Sequence, residues 1–204
     1  MSSALLLLTE LPVGERVDEA LAAWRDRPTA PGSVLYRGLE APTLLELTPL
    51  DGLDALAGLD EQWSRQAKEL AELVVGDVRR QVLRFVEAPK PAPVGAALPD
   101  TPYVQLRHVE VKPRVHEEYL DWRDGTIFDV VRTTEQVETF LAYHSLLSTE
   151  PGVMFVSGFS CDPEEYLPAF SSERYGEIAR YAHARFVTEE GLYTRLYRRV
   201  TEDA

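Results

Sequence analysis

The sequence of 204 residues predicts an α+β fold made of two tandem copies of one unit. One motif occurs twice with identical internal spacing, 98 positions apart: Arg16-Val17-x-Glu19-x4-Trp24-Arg25-Asp26 and Arg114-Val115-x-Glu117-x4-Trp122-Arg123-Asp124. A second motif also occurs twice, 120 positions apart: Pro31-Gly32-x5-Gly38 and Pro151-Gly152-x5-Gly158. The difference between the two offsets predicts about 22 additional residues in the second copy. A repeat of roughly 100 residues has the size of a small domain rather than of a solenoid unit.

The first copy shows the order β-α-β-β-α-β. The apolar run from Leu5 to Leu8 predicts a strand, and the apolar spacing between Glu15 and Asp26 predicts a helix. Two strands follow, then a long helix that Gly76 would close, then a fourth strand. The predicted bounds of these six elements are 5–8, 15–26, 33–38, 43–47, 53–75 and 81–87.

Five prolines between Ala88 and Pro102 predict an extended linker, after which the second copy repeats the order of the first. We therefore expect a first module at 1–88, a linker at 89–102 and a second module at 103–204. The strands predicted in the second module are 103–112, 153–160, 165–170 and 192–200, and the helices are 114–124 and 172–187.

The additional residues of the second copy, about 125–149, predict a helix. Thr133-x-x-Gln136 fits a capping box that would open it. Apolar residues then recur at helical spacing, and His144 falls on the same face. That face consists of Val137, Phe140, Leu141, His144 and Leu147.

The order β-α-β-β-α-β is that of a ferredoxin-like module. Its helices cover only one face of its sheet, so the other face needs a partner. Two tandem modules can bury these faces against each other around a central space. We expect Trp24 and Trp122 to pack onto the sheets, and the Arg-Asp pairs that follow them to lie on the surface.

Charge and composition exclude several classes of function. The net charge of −13 argues against a nucleic-acid or anionic-membrane partner, because both require basic patches. Cys161 is the single cysteine, which favours a reducing compartment, and no stretch reaches the about 20 apolar residues of a membrane span. The sequence also lacks P-loop, GxGxxG and GxSxG motifs. These observations predict a soluble, cytoplasmic protein.

All four histidines lie in the second copy, which predicts that this copy carries the site. His108 shares a strand face with Glu110, and the two could form a proton-transfer pair or a strand-end pair near solvent. His144 is either a catalytic base or a core histidine with one hydrogen bond. The histidine spacing does not fit a structural zinc site, so no metal is expected apart from haem.

The last strand places Tyr193, Arg195 and Tyr197 on one face, where rings and a guanidinium group would suit an oxygenated aromatic ligand. The alternative is an edge strand protected by charge. Tyr143 and Phe155 complete the predicted substrate-binding set, together with Glu110.

The segments Pro31–Gly38 with Thr43–Leu47, and Pro151–Gly158, resemble the strand-turn-strand centre of the antibiotic biosynthesis monooxygenase type of dimeric α/β barrel. The resemblance implies that the two modules pack as a dimeric α/β barrel. It also implies an oxidoreductase that tailors an aromatic, polyketide-like substrate in natural-product biosynthesis, with no cofactor or with reduced flavin. His108 or His144 would then remove a proton, and Arg and Tyr side chains of the last strand would stabilise the oxyanion.

The same superfamily includes haem proteins and small cyclases, and these supply the alternatives. One is a haem-binding barrel enzyme with His144 as axial ligand, and another is a cyclase or a ligand-binding barrel without chemistry. A homodimer is a further assembly that the resemblance allows.

Overall fold

The computed structural model describes residues 4–25 and 30–201, and it shows an α+β protein built on eight strands. The strands are β1 (Leu5–Pro12), β2 (Val34–Gly38), β3 (Thr43–Leu50), β4 (Arg79–Lys90), β5 (Tyr103–Val111), β6 (Thr139–Leu147), β7 (Val153–Phe159) and β8 (Val187–Arg199). The α-helices are α1 (Val17–Arg25), α2 (Asp60–Glu69), α3 (His116–Asp124), α4 (Ile127–Thr133), α5 (Pro163–Tyr166) and α6 (Glu173–Arg185). Short 3₁₀ helices cover Gly14–Arg16, Leu53–Leu59, Pro113–Val115 and Leu167–Phe170.

The strands form one closed antiparallel barrel in the order β1-β3-β2-β8-β5-β7-β6-β4. The first half of the chain contributes β4-β1-β3-β2, and the second half contributes the same relative order, β8-β5-β7-β6. Each half therefore supplies a four-stranded sheet, and the two sheets enclose a central lumen. The predicted fold class is confirmed.

Strands β1, β3, β5 and β7 are buried on both faces along most of their length, which is why several of them read as apolar runs. In β1, Leu6 and Leu8 belong to the lumen core, whereas Leu7 and Leu11 pack on the outer face. The lumen core contains Leu6, Leu8, Tyr36, Leu45, Leu47, Leu83, Leu98, Val104, Leu106, Leu141, Tyr143, Met154, Val156 and Tyr197. Separate outer cores lie between the sheet and the helices of each half.

The two joins between the halves are unequal. β2 pairs with β8 over three residue pairs, from Tyr36 with Arg199 to Gly38 with Tyr197. β4 pairs with β6 over six residue pairs, with irregularities in register around Phe85 and Glu87. One side of the barrel is therefore held together by a much shorter ladder than the other.

The proline-rich linker closes one end of the lumen. β4 runs on to Lys90, so the linker begins later than predicted, and the following chain turns across the barrel end. Leu98 belongs to the lumen core, and Pro99 lies against Gly158. The linker is thus part of the core rather than only a spacer.

The predicted helix around His144 is wrong, because residues 139–147 form strand β6. Phe140 and Ala142 pack under the helices while Leu141 and Tyr143 face the lumen. A strand buried on both faces also places apolar residues at helical spacing, so periodicity could not separate the two structures. The helix of the additional segment is α4, which precedes it.

The predicted strand at 165–170 is also wrong. This segment contains the end of α5 and a 3₁₀ helix. The Asp162 side chain accepts a hydrogen bond of 2.9 Å from the Glu164 backbone N–H, and Pro163 occupies the first helical turn. The chain therefore starts a helix where the apolar residues alone suggested a strand.

These corrections change how the copies align. β6 is the counterpart of β2, and β7 is the counterpart of β3. Pro31-Gly32 precedes β2, whereas Pro151-Gly152 precedes β7, the counterpart of β3. The two occurrences of the second motif are therefore not at equivalent positions. The two occurrences of the first motif are at equivalent positions, since they cover α1 and α3.

One further predicted helix differs from the structure. The predicted helix 53–75 is a 3₁₀ helix followed by α2, which ends at Glu69. Asp26, the predicted end of the first helix, lies outside the described residues. Within the part of the chain that the structure describes, no helix is long and apolar enough to cross a membrane.

Candidate functional site

The lumen is apolar along most of its length and becomes polar at the end away from the linker. Along β1, Glu10 follows Leu6 and Leu8 on the same face, and along β5, His108 follows Val104 and Leu106. The neighbouring strands β4 and β8 add Arg79, Gln81, Tyr193 and Arg195 at this end. The residues come from both halves of the chain.

Glu10 is the centre of this polar end, and only 1% of its surface is exposed. Arg195 Nη1 donates a hydrogen bond of 2.6 Å to Glu10 Oε1, and the Tyr197 hydroxyl donates to the same oxygen. Burial, and after it the negative charge of Glu10, raises the pKa of Tyr197, so that its hydroxyl stays protonated and can donate. Among residues 4–25 and 30–201, Glu10 Oε2 has no hydrogen-bond partner.

Tyr193 links Arg195 to His108. The Arg195 guanidinium lies 4.3 Å from the centre of the Tyr193 ring, a cation–π distance. On the other side, the His108 ring stacks on Tyr193 at 4.9 Å. Gln81 Nε2 lies 3.4 Å from the Tyr193 hydroxyl.

His108 is 3% exposed, and its Nε2 lies 3.2 Å from the carbonyl oxygen of Glu150. A carbonyl oxygen only accepts, so Nε2 carries the hydrogen and Nδ1 is left as an acceptor. Burial lowers the pKa of His108, which keeps the imidazole neutral at pH 7. The neutral ring is fixed against Tyr193 by this hydrogen bond.

A pocket of ≈ 470 Å³ opens beside Glu10 between β8 and the turn from β2 to β3. β2 ends at Gly38, where a Cβ would lie 2.5 Å from the Ala41 carbonyl oxygen, so the turn is too tight for a side chain. The last bond between this turn and β8 joins Leu39 N to Leu196 O at 3.0 Å. The lining consists of Glu10, Pro12, Gly38, Glu40, Ala41, Thr43, Gly76, Asp77, Arg79, Arg195, Leu196 and Tyr197.

Most of the residues predicted on the lumen face lie there. His108, Tyr193, Arg195 and Tyr197 are in one connected cluster. Glu110 continues the His108 face and lies against Gly191. Tyr143 is also in the lumen, where its ring meets Phe85 edge-on at 5.7 Å, but it belongs to the apolar part.

His144 and Phe155 lie on the opposite face of the sheet, under the helices. His144 Nε2 is 3.5 Å from Arg123 Nη1, and its ring meets His116 edge-on at 4.9 Å. Burial first, then the charges of Arg123, His116 and Arg84, lowers the pKa of His144 to about 4. Phe155 packs against Phe140 and Phe128 in the outer core. The structure does not bring either residue to the pocket.

The surroundings do not fit the cofactors that the resemblance implies. His144 Nε2 faces the guanidinium of Arg123 instead of a cavity, and the lining of the pocket contains no histidine, cysteine or methionine to hold haem iron. The mouth carries the carboxylates of Glu40 and Asp77, which oppose a flavin phosphate. No group of His, Cys, Asp and Glu within the described ranges is arranged to hold a metal ion.

Solved structures share the fold along nearly the whole chain, whereas no protein-family model and no curated protein matches the sequence. An anthrone oxidase-like protein superposes with a TM-score of 0.74 at 16% identity, covering 97% of this chain and 91% of its own. A Fusobacterium nucleatum protein, provisionally a monooxygenase, gives 0.69 at 11% identity, covering 98% and 94%. The haem-degrading enzyme LmHde from Listeria monocytogenes gives 0.54 at 8% identity, covering 95% and 98%. At these identities the likeness establishes the dimeric α/β barrel fold.

The sequence places the site in the second copy, whereas the lining of this pocket also includes Glu10 and Arg79 of the first copy. A signal for Glu10 was present in the sequence. Side chains alternate along a strand, so an acid two residues after Leu8 continues the face of Leu6 and Leu8 into the lumen. The side chains of Arg79 and Glu150 approach to 3.4 Å. They gave no comparable pattern, because Arg79 is the first residue of β4 and Glu150 lies in the loop between β6 and β7.

Proposed function

We propose that the protein is an oxygenase that acts on an electron-rich aromatic small molecule bound in the barrel pocket. The observation that carries the proposal is the ≈ 470 Å³ pocket at the polar end of the lumen, which is lined by the hydrogen-bonded Glu10, Arg195 and Tyr197. A pocket of this size with fixed polar groups is typical of small-molecule sites.

The proposed chemistry requires an anion of the substrate that reacts with oxygen. A carboxylate at the pocket mouth, Glu40 or Asp77, takes a proton from a carbon next to an aromatic ketone, which places negative charge on the ketone oxygen. Arg195 gives only Nη1 to Glu10, so its remaining N–H groups supply fixed hydrogen-bond donors for this charge. The anion is then oxidised by oxygen.

The supporting comparisons are the anthrone oxidase-like and monooxygenase neighbours, which share the fold. The finer expectation of a polyketide-like substrate in natural-product biosynthesis follows from the resemblance of the two Pro-Gly segments. In this proposal His108 is a positioning residue rather than the proton acceptor, because Tyr193 lies between it and Arg195. A homodimer would add no strand to the barrel, since eight strands already close it.

Anthrone tests the proposal directly, because oxidation to anthraquinone consumes one O₂ per anthrone and releases one water. We expect the purified protein, without added cofactor, to accelerate both oxygen uptake and anthraquinone absorbance. An Arg195→Met variant should lose about 100-fold in kcat/KM, because one donor to the oxyanion is removed.

The matched control is Arg185→Met, which removes an arginine from an exposed ion pair with Glu118. It should leave the rate unchanged, and circular dichroism should show both variants folded. A wild-type rate no higher than that of heat-denatured protein would rule out the proposed activity on this substrate.

A further inference from the structure

We infer that Glu10 determines specificity: its second carboxylate oxygen accepts a hydrogen bond from a hydroxyl group of an aromatic ketone. The ketone oxygen of the same ligand then lies at Arg195. This inference rests on the proposed function only in taking the pocket beside Glu10 as the substrate site.

The first support is the hydrogen bonding of Glu10. The hydrogen bonds from Arg195 and Tyr197 both go to Oε1. Oε2 is buried, belongs to a side chain that lines the pocket, and has no partner among the described residues. An ionised carboxylate has about four acceptor sites, and a buried one without a donor is costly. A ligand that donates a hydrogen bond to Oε2 removes that cost.

The second support is the balance of charge around Glu10. Glu10 is paired with Arg195 at 2.6 Å, and Glu150 with Arg79 at 3.4 Å, so two carboxylates face two guanidinium groups. A cationic group gains little at Glu10 itself, because Arg195 already neutralises that carboxylate. An anionic ligand would meet Glu10 inside, and Glu40 and Asp77 at the mouth. A neutral donor, that is a hydroxyl group, fits best.

The third support is the donor that lies next to Glu10. Arg195 gives one nitrogen, Nη1, to Glu10, while a guanidinium group has five N–H donors in all. The cation–π contact of 4.3 Å with the Tyr193 ring holds the group in place. The pocket therefore offers an acceptor and a donor side by side, which matches a ligand that carries both a hydroxyl and a ketone oxygen.

Three bicyclic ketones test this pairing without any reaction: 6-hydroxy-1-tetralone, 6-methoxy-1-tetralone and unsubstituted 1-tetralone. The hydroxy compound donates a hydrogen bond, the methoxy compound cannot, and the carbon skeleton is the same. By isothermal titration calorimetry we expect wild-type protein to bind the hydroxy compound at least about ten-fold more tightly than the methoxy compound, because hydrogen bonds to a charged acceptor are strong. Equal affinity, or no binding of any of the three, would overturn the inference.

Glu10→Gln tests the residue itself. The amide lacks the negative charge and can donate a hydrogen bond, so affinity for the hydroxy compound should fall and affinity for the methoxy compound should rise. The preference should drop to about three-fold or less, since a neutral hydrogen bond is about half as strong. A purely structural role for Glu10 would weaken both ligands alike and would contradict the assignment.

Glu118→Gln is the matched control, because it makes the same change in an exposed ion pair on α3. It should keep the wild-type preference. If Glu10→Gln does not fold, as judged by circular dichroism, Glu10→Asp keeps the charge but withdraws it by one carbon, and it should also reduce the preference.

The two proposals can fail separately. Preferential binding of the hydroxy ketone without any oxygen uptake would refute the oxygenase and leave the role of Glu10 intact. Anthrone oxidation without preference for the hydroxy ketone would do the reverse.

Discussion

His108 and His144, the two histidines predicted to be catalytic, differ because they lie on opposite faces of one sheet, and these faces are different environments. His108 faces the lumen and stacks on Tyr193, whereas His144 faces α3 and lies beside Arg123. Burial lowers the pKa of both imidazoles, but only for His144 do nearby cationic groups lower it further. Side-chain alternation along β5 predicted the position of His108, since the strand was assigned correctly. The same rule could not be applied to His144 while its segment was taken as a helix.

The lowered pKa of His144 predicts a stability that depends on pH. An unfolded histidine has a pKa of about 6.5, whereas that of folded His144 is about 4. Between these values the unfolded chain binds a proton that the folded chain does not, so lowering the pH favours unfolding. Wild-type protein should therefore lose more stability from pH 7 to pH 5 than a His144→Asn variant, as measured by urea unfolding.

The control for removing an imidazole is His183→Asn, at an exposed position on α6. It should change stability equally at both pH values. An NMR titration that placed the pKa of His144 near 6.5 would contradict the prediction.

At the scale of elements, the sequence predicted most of the barrel but not its second half in full. Leu5–Leu8, the segments around Gly38, and the last strand were assigned because their turn residues and apolar runs agree. The segment 139–147 was missed because burial on both faces removes the alternation that marks a strand. Residues 165–170 were missed because the cap formed by Asp162 outweighs a short apolar pattern.

Gly158 lies where the linker packs closely against β7. A Cβ at this position in β7 would lie 2.5 Å from Pro99 Cβ and 2.7 Å from Thr101 Oγ1. Gly158→Ala should therefore push the linker out of place and destabilise the protein by about 1–3 kcal/mol, as overpacking does. Urea unfolding measures the change.

Gly176 in α6 provides the matched substitution, because no atom lies within 4 Å of its Cβ position. Gly176→Ala should stabilise the protein by about 0.5–1 kcal/mol, since alanine favours a helix more than glycine does. Equal effects at the two glycines would show that the linker is not held against β7.

At the scale of the whole molecule, the repeated arginines connect the two halves. Arg123 of the second copy forms an ion pair with Glu87 on β4 of the first half. Arg25 of the first copy donates to the carbonyl oxygen of Thr201, just after β8 of the second half. The prediction that Arg123 lies in a surface pair is wrong, because its side chain is fully buried and contacts the other half of the barrel. The repeated motif could be found in the sequence. The residues that its arginines contact lie in the other copy and could not be predicted.

Glu87→Gln tests the connection made by Arg123. It leaves a buried guanidinium without its counter-charge, which should cost about 1–3 kcal/mol given that Glu87 itself is partly exposed. Asp129→Asn breaks an exposed pair with Arg174 and should cost at most about 0.5 kcal/mol. Chemical denaturation compares the two, and equal losses would contradict a buried link between the halves.

The three-pair ladder between β2 and β8 has a consequence for how the barrel moves. Few hydrogen bonds hold this side, so its amide hydrogens should exchange with solvent sooner than those of the β4–β6 side. The ≈ 470 Å³ opening lies next to the shorter ladder, where the turn after Gly38 leaves β8. Local separation of β2 and β8 would widen the pocket entrance without disturbing the rest of the barrel. The width of the entrance therefore depends on fluctuations of this strand pair as well as on its average structure.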